Sequence, residues 1–213
     1  MHDIAPEKTL REKMVELVDN LPPDQVTLAV VLDRIGHEGW LLFCVFLTLP
    51  FMVPVSIPGV STVFGAVILL IGINLTLDRP HRLPDRLMHR SFPSAKLKSA
   101  LTKGTVWLKR LERISHPRLA VFTQGYVADR MNGLMLVLGA LLLMMPFGLV
   151  PFSNTLPGLA ILFLAVGMLQ KDGGCILLGN LTNLATIVYF GFLVYTGSEA
   201  MMAAVRKMTA LFH

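Results

Sequence analysis

The stretch WLLFCVFLTLPFMVPVSIPGVSTVFGAVILLIGINLTL, which runs from Trp40 to Leu77, decides the fold of this 213-residue chain. Its 38 residues include no Asp, Glu, Lys, Arg or His, yet Pro50, Pro54 and the pair Pro58-Gly59 interrupt its middle. As one straight helix it would extend about 57 Å, nearly twice the roughly 30 Å hydrocarbon core of a bilayer. The stretch therefore predicts a membrane hairpin that reverses at its proline and glycine residues.

The two arms of this predicted hairpin are unequal in length. The first arm, Trp40 to Val53, would reach about 21 Å, and the second, Val60 to Leu77, about 27 Å. Because the first arm is short for a complete crossing, we favour a re-entrant or discontinuous helix pair over two ordinary crossings. Irregular backbone at that depth requires protein or water to satisfy its polar groups.

A second copy of the pattern follows about 96 residues later, within the 40 uncharged residues from Met131 to Gln170. It shares the proline-containing breaks and an Asp-Arg pair at the same distance before the first proline. We interpret the match as a duplication, with chance similarity of two Leu-rich hairpins as the alternative. Paired broken helices in repeats are typical of transport proteins. The matched segments are Leu49-Pro50-Phe51 with Met145-Pro146-Phe147, Pro58-Gly59 with Pro157-Gly158, and Asp33-Arg34 with Asp129-Arg130.

The composition is that of an all-α integral membrane protein. Hydrophobic residues make up 54% of the chain, charged residues only 15%, and the mean hydropathy is +0.62. Gly173 to Ser198 is the clearest single crossing, because its 26 residues carry no charge. We therefore predict two sequence-related halves and a final transmembrane helix. The predicted divisions are an N-terminal lead-in (1–39), the first hairpin (40–77), a connector (78–118), the second hairpin (119–172) and the last span with its tail (173–213).

The connector from Asp78 to Arg118 is strongly basic. It holds eleven Lys and Arg residues against three acidic ones, a net charge of +8. The positive-inside rule places such a segment in the cytoplasm. Its apolar positions between Leu97 and Ile114 predict an interfacial helix on anionic lipid headgroups, and a specific site for an anionic lipid or phosphate is the alternative. Because these positions are membrane-type, we predict no nucleic-acid partner.

The flanking segments are predicted to be helical. Glu7 to Leu21 has the pattern of an amphipathic surface helix, and Asp24 is placed to cap a second helix through Ile35. The tail, Glu199 to His213, predicts a short amphipathic helix. Residues 1–20 are charged throughout, so no signal peptide is expected there. Cys44 and Cys175 lie in apolar runs and are expected to be buried thiols, without a disulfide or a metal site.

Two groups of polar residues are candidates for ligand or ion handling. Ionisable groups beside a membrane segment are costly unless paired or hydrated, which draws attention to both Asp-Arg pairs. Each Asp could instead simply neutralise its neighbouring Arg. The second group lies beside the Pro-Gly breaks, where unpaired helix amides favour anions unless ordinary capping satisfies them. The candidates are Asp33, Arg34, Asp129, Arg130, Ser61, Thr62, Ser153 and Asn154. Neither group has the arrangement of an enzyme or metal site, so no catalytic residue, metal or cofactor is predicted.

From about Val26 to the last span, the chain resembles the bacterial exopolysaccharide synthesis ExoD family. The matching segments are Leu49-Pro50, Pro58 to Gly65, Arg79-Pro80 to Pro84, Ser91-Phe92-Pro93, Leu111 to Leu119, Phe152 to Ala160 and Lys171-Asp172-Gly173. The resemblance implies a multi-pass protein of the bacterial inner membrane that supports surface polysaccharide production. It carries over no catalytic residue.

These observations lead to two hypotheses about function. The favoured one is a transport-like or lipid-handling role in exopolysaccharide synthesis, with a polyprenyl-phosphate carrier or a coupled ion as ligand. The alternative is a non-transporting scaffold or regulator that docks polysaccharide synthesis enzymes through the basic connector and the N-terminal helix. Both hypotheses place the protein among membrane lipids, and both leave open a homo-oligomer.

Overall fold

Helices dominate the structure, a computed structural model that describes residues 25–27, 37–52, 59–77, 91–93, 102, 119–145, 147, 150 and 152–211. Two short 3-10 turns, Leu49–Met52 and Ala120–Phe122, accompany the α-helices. The prediction of a helical protein is confirmed. Within the described ranges the α-helices are α1 (His37–Thr48), α2 (Val60–Thr76), α3 (Tyr126–Leu143), α4 (Thr155–Gln170) and α5 (Gly173–Leu211).

Two three-residue strands join the start of the chain to the connector. Strand β1 (Gln25–Thr27) pairs antiparallel with β2 (Ser91–Pro93), and Val26 lies opposite Phe92. The predicted helix from Asp24 through Ile35 is therefore wrong at residues 25–27. The backbone groups of these residues bond to a segment far away in the sequence, which local helical periodicity does not reveal. Val and Thr are also β-branched residue types, which favour strands.

The first apolar stretch breaks where its prolines and glycine lie. Helix α1 tightens into the 3-10 turn Leu49–Met52, which contains Pro50. Helix α2 begins after Gly59, whose φ of 84° is in the left-handed region that glycine adopts without a steric penalty. With 12 and 17 residues, α1 and α2 are about 18 and 26 Å long. Whether they re-enter or cross the bilayer stays a prediction.

The second apolar stretch also divides into two helices, and the last helix is longer than predicted. Helix α3 ends before Pro146, and α4 begins at Thr155. Helix α5 has 39 residues and continues through Leu211, so the tail is helical, as predicted, and forms the C-terminal part of α5. Ala and Met after Ser198 are strong helix formers, and no Gly or Pro interrupts them. Two described segments, Tyr126–Leu143 and Gly173–Gly197, are long and apolar enough to cross a membrane.

The two apolar stretches pack mainly on each other. Helix α2 packs along α3, and α1 packs along α4. Helix α4 also packs on α3 and on α5. The first arm of each stretch therefore has the second arm of the other stretch as a main neighbour.

The core of the bundle is aliphatic, and the outer face of α5 is apolar as well. Each of α2 to α5 contributes fully buried side chains, among them Ile68, Leu136, Leu164 and Ile176. On α5, large apolar residues that do not face the bundle remain exposed. A contiguous exposed apolar face is typical of a surface that meets lipid or another protein. These residues include Leu181, Leu184, Val188 and Phe192.

Helices α2 and α3 approach closely at small residues. A Cβ atom added to Gly133 would lie 2.9 Å from the backbone nitrogen of Thr76 and 2.6 Å from its Oγ1. One turn earlier on α2, a Cβ on Gly72 would lie 3.1 Å from the backbone nitrogen of Val137. Small residues at such positions let helix backbones come together, as in membrane helix pairs.

Candidate functional site

The starts of α2 and α4 lie at the same end of the bundle. Phe51, in the 3-10 turn after α1, is 3% exposed. Its ring meets that of Phe64 on α2 edge-on, with the ring centroids 6.0 Å apart. Its Cβ also lies 3.1 Å from the position of a Cβ built on Gly158, in the first turn of α4. Phe51 therefore connects the starts of α2 and α4.

The predicted tip residues occupy different environments. Ser61, Ser153 and Asn154 are buried, whereas Thr62 is exposed. Neither Gly59 before α2 nor Asn154 before α4 caps its helix through a side-chain hydrogen bond. The Ser153 hydroxyl is buried and has no hydrogen-bond partner among the described residues. Ligand handling at the tips stays a prediction.

A cavity of about 470 Å³ lies at the opposite end of the bundle. Four helices build it: Leu41 comes from α1, Leu75 from the end of α2, Asp129 from the start of α3 and Met168 from the end of α4. We call this cavity the vestibule. It is the place where all four arms of the two apolar stretches meet, and its wall combines aliphatic with polar side chains.

The polar wall of the vestibule carries one acidic and one basic side chain. Asp129, in the first turn of α3, and Lys171, directly after α4, line the cavity and are exposed to solvent. Asn132 is 5% exposed and donates a hydrogen bond from Nδ2 to the Phe122 carbonyl over 2.8 Å. This bond fixes the amide against the 3-10 turn that precedes α3. The vestibule can therefore bind a ligand that has both a charged group and an apolar portion.

The backbone of Lys171 adopts an unusual conformation. Its φ and ψ of 52° and 36° lie in the left-handed region, where helices commonly end on glycine. A non-glycine residue held there costs free energy, and such residues occur preferentially at functional sites. The turn from α4 to α5 thus keeps a lysine beside the vestibule at a position where glycine would be less strained.

Of the predicted Asp-Arg pairs, only the second lies within the described residues. Asp129 lines the vestibule, whereas the Arg130 guanidinium carbon lies 4.2 Å from the centre of the Tyr126 ring. This is a cation–π contact at the start of α3. The first pair, Asp33-Arg34, lies outside the described residues, so the convergence of the two pairs stays a prediction.

Asp172 has a structural role at the start of α5. Its carboxylate is fully buried, and Oδ1 accepts a hydrogen bond of 2.9 Å from the backbone N–H of Gly174. Its Oδ2 lies 3.5 Å from the Cys175 thiol, which donates to it. The side chain caps the helix and satisfies one of the amides that every helix start leaves unpaired. Cys175 and the fully buried Cys44 are not joined in a disulfide.

A row of polar residues lies on the buried face of α5. Asn183 is 1% exposed, and its Nδ2 donates to the Met135 carbonyl on α3 over 2.9 Å. Thr186 is fully buried, and its hydroxyl donates to the Thr182 carbonyl. The side-chain oxygens of Asn180 and Asn183 are buried and have no hydrogen-bond partner in the described part of the chain.

The polar residues predicted from the sequence did not include Lys171, Asn132 or the α5 asparagines. A signal for them was present. Lys171 and Asp172 are the only charged residues between Met131 and Ser198, and asparagine is costly inside an apolar span unless it is bonded or functional. The periodicity of the sequence does not show that Lys171 and Asn132 lie together, because the vestibule forms from helices that lie far apart in the sequence.

The helices, two of them long and apolar enough to cross a bilayer, are consistent with a helical protein of the membrane-associated class. The family model "Exopolysaccharide synthesis, ExoD" matches residues 10–192. The chain is also 44% identical over 194 residues to Protein ExoD of Rhizobium meliloti (strain 1021), an alignment that covers 91% of this chain and 81% of the relative. The chain belongs to the ExoD family, which is implicated in exopolysaccharide synthesis.

A more distant relative has a narrower match. An uncharacterized protein of Synechocystis sp. (strain ATCC 27184 / PCC 6803 / Kazusa) is 33% identical over 149 residues, covering 70% of this chain and 69% of the relative. No solved structure matches the chain. The family prediction made from the sequence is confirmed.

Proposed function

We propose that this protein is a multi-pass protein of the bacterial inner membrane that supports exopolysaccharide synthesis by handling a lipid carrier in a transport-like manner. The observation that carries the proposal is the vestibule, where four arms of two broken hairpins meet around Asp129 and Lys171. In transport proteins built from repeats, ligands bind where the repeats meet. A polyprenyl-phosphate carrier, alone or with a coupled ion, is the ligand class we assign to it.

The chemistry of the vestibule suits such a carrier. The Lys171 ammonium can pair with a phosphate, while Leu41, Leu75 and Met168 offer an apolar wall to an isoprenoid chain. Asp129 lines the same cavity and can bind a proton or cation that accompanies the phosphate. Opposite charges around one cavity allow a ligand to enter with its counter-ion, which lowers the cost of removing the phosphate from water.

The packing of the helices supports two interlocked halves. In a duplication, α1 would correspond to α3, and α2 would correspond to α4. The contact of α1 with α4 would then have the contact of α3 with α2 as its counterpart, and both contacts are present. This is the pattern expected of duplicated hairpins around an approximate two-fold axis. Such halves can move relative to each other while the vestibule opens and closes.

One observation favours the scaffold alternative. The pairing of β1 with β2 attaches the basic connector to the segment that precedes α1. A connector held in this way, with a net charge of +8 between residues 78 and 118, would present a fixed basic surface to acidic synthesis enzymes.

The test replaces the charges of the vestibule. In cells that lack the native protein, we would express Asp129→Asn and Lys171→Gln, singly and together, and measure secreted polysaccharide and protein abundance in the membrane. Lys207→Gln, a charge removal in α5 beyond the apolar span, is the matched control. We expect about a tenfold loss of polysaccharide at normal abundance for the vestibule variants, equivalent to about 1.4 kcal/mol of lost interaction, and little change for the control.

Two outcomes would contradict the proposal. If polysaccharide falls only in proportion to protein abundance, the vestibule charges are structural. If the vestibule variants are active but neutralising connector charges abolishes both secretion and co-purification with synthesis enzymes, the scaffold alternative is correct.

A further inference from the structure

The buried face of α5 contains acceptors without donors. The Oδ1 atoms of Asn180 and Asn183 are buried, and neither has a hydrogen-bond partner within the described ranges. The two residues are three positions apart and therefore lie on adjoining positions of one helix face. A buried polar atom without a partner is costly, so two together on one face require an explanation.

The site lies where three helices meet. Asn183 donates its Nδ2 hydrogen to the Met135 carbonyl of α3, which orients the amide and leaves Oδ1 free to accept. A Cβ atom built on Gly139 of α3 would lie 3.2 Å from that Oδ1 and 2.9 Å from Cγ1 of Ile161 on α4. Asn183 therefore lies between α3, α4 and α5. It is about 15 Å along α5 from Gly173, near the middle of the apolar span that ends at Gly197.

The neighbouring hydroxyl groups have already donated their hydrogens. Thr182 donates to the Leu178 carbonyl over 2.7 Å, and Thr186 donates to the Thr182 carbonyl over 2.8 Å. One of the two Asn183 amide hydrogens is likewise used on Met135. The two threonine hydroxyls therefore do not satisfy the asparagine oxygens.

A cation is satisfied by oxygen acceptors alone. We propose that Asn180 and Asn183 provide amide oxygens to a binding site for one monovalent cation, of the Na⁺ or K⁺ class, at the junction of α3, α4 and α5. Amide and main-chain carbonyl oxygens are the ligands that such cations prefer. A divalent ion is disfavoured because Ca²⁺ and Mg²⁺ sites rely on carboxylates, and Asn180 and Asn183 are both neutral.

This proposal goes beyond the lipid-carrier function, because cation binding can occur whether or not a carrier is handled. The location near the middle of the span is nevertheless where coupling ions bind in proteins with paired broken helices. The site is also separate from the vestibule, since none of the residues that line that cavity belongs to α5.

The experiment uses the purified full-length protein in detergent and needs no polysaccharide assay. Its apparent melting temperature is measured in choline chloride and in sodium or potassium chloride at the same ionic strength. At about ten times the dissociation constant, we expect the bound cation to raise the melting temperature by about 3–6 °C. Equal melting temperatures in all three salts would overturn the proposal, and this result would leave the vestibule experiment unaffected.

Substitutions test whether the side-chain amides of Asn180 and Asn183 cause the effect of the cation on the melting temperature. We expect Asn183→Leu and Asn180→Leu to have the same melting temperature in all three salts. Thr186→Val, which removes a buried hydroxyl one turn along from Asn183, should keep the difference in melting temperature. If Asn183→Leu does not fold, the less buried Asn180 provides the test. A cation effect that persists in Asn180→Leu, or that disappears in Thr186→Val, would show that the cation binds elsewhere.

Discussion

Substitution of Gly133 by alanine tests the closest contact between the two apolar stretches. The new Cβ would lie 2.6 Å from Oγ1 and 2.9 Å from the backbone nitrogen of Thr76. The hydroxyl cannot simply turn aside, because it donates a 2.8 Å hydrogen bond to the Gly72 carbonyl. The backbone nitrogen belongs to α2 itself. Relief of the clash therefore requires α2 and α3 to move apart.

The expected cost follows from this geometry. An ordinary carbon–nitrogen contact is above about 3.4 Å, so the helices must separate by roughly 0.5 Å, and overpacking of this kind costs about 1–3 kcal/mol. Alanine also gains up to about 1 kcal/mol over glycine in helix propensity, which partly offsets the clash. Gly191→Ala on α5 is the matched control, because its Cβ would meet nothing within 4 Å.

The assay is thermal unfolding of both variants in detergent, in parallel with the unsubstituted protein. We expect Gly133→Ala to melt about 5 °C below Gly191→Ala, since 1 kcal/mol corresponds to about 2–4 °C for a chain of this size. Equal melting temperatures would refute the close packing of α2 on α3, and with it the contact between the two apolar stretches on which the proposed function relies.

Two further predictions concern α5. Asp172→Ala removes the buried cap of α5 and should lower the unfolding free energy by about 1–2 kcal/mol. Asp172→Asn keeps the acceptor for the Gly174 N–H and should therefore lower it less. Thermal melts of the two variants test this order of stability. Leu184→Arg puts a charge on the exposed face near the centre of Gly173–Gly197 and should raise the free energy of membrane insertion by roughly 3 kcal/mol. The carbonate-resistant fraction should then fall, and an unchanged fraction would argue that this face does not meet lipid.

Local sequence features determined where the helices break. Pro50 and Gly59 act within a turn of their own positions, so the 3-10 turn and the left-handed residue before α2 follow from residue type alone. The continuous α5 shows the limit of this reasoning. The change from apolar to charged residues near Ser198 marks a change of environment, and a change of environment does not by itself end a helix.

Non-local contacts explain the wrong helix assignment at residues 25–27 and the missed site residues. Residues 25–27 form a strand because their partner lies in the connector, 64 to 68 residues further along the chain. Lys171 and Asn132 share the vestibule only because the start of α3 and the end of α4 lie side by side there. Thr62, selected for its position beside a break, turns out to be exposed, whereas Ser61 next to it is buried.

By itself, the sequence determined the helical, membrane-associated class, the main breaks in the apolar stretches and the ExoD family, because hydrophobicity, proline and glycine act locally and family motifs are contiguous. Only the tertiary structure decided which helices are neighbours, and therefore which polar groups meet at the vestibule and which remain unpaired beside Asn183. The physical reason is that apolar helices of similar composition can pack in many orders. Close contacts such as that of Gly133 with Thr76, which no periodicity encodes, select one of them.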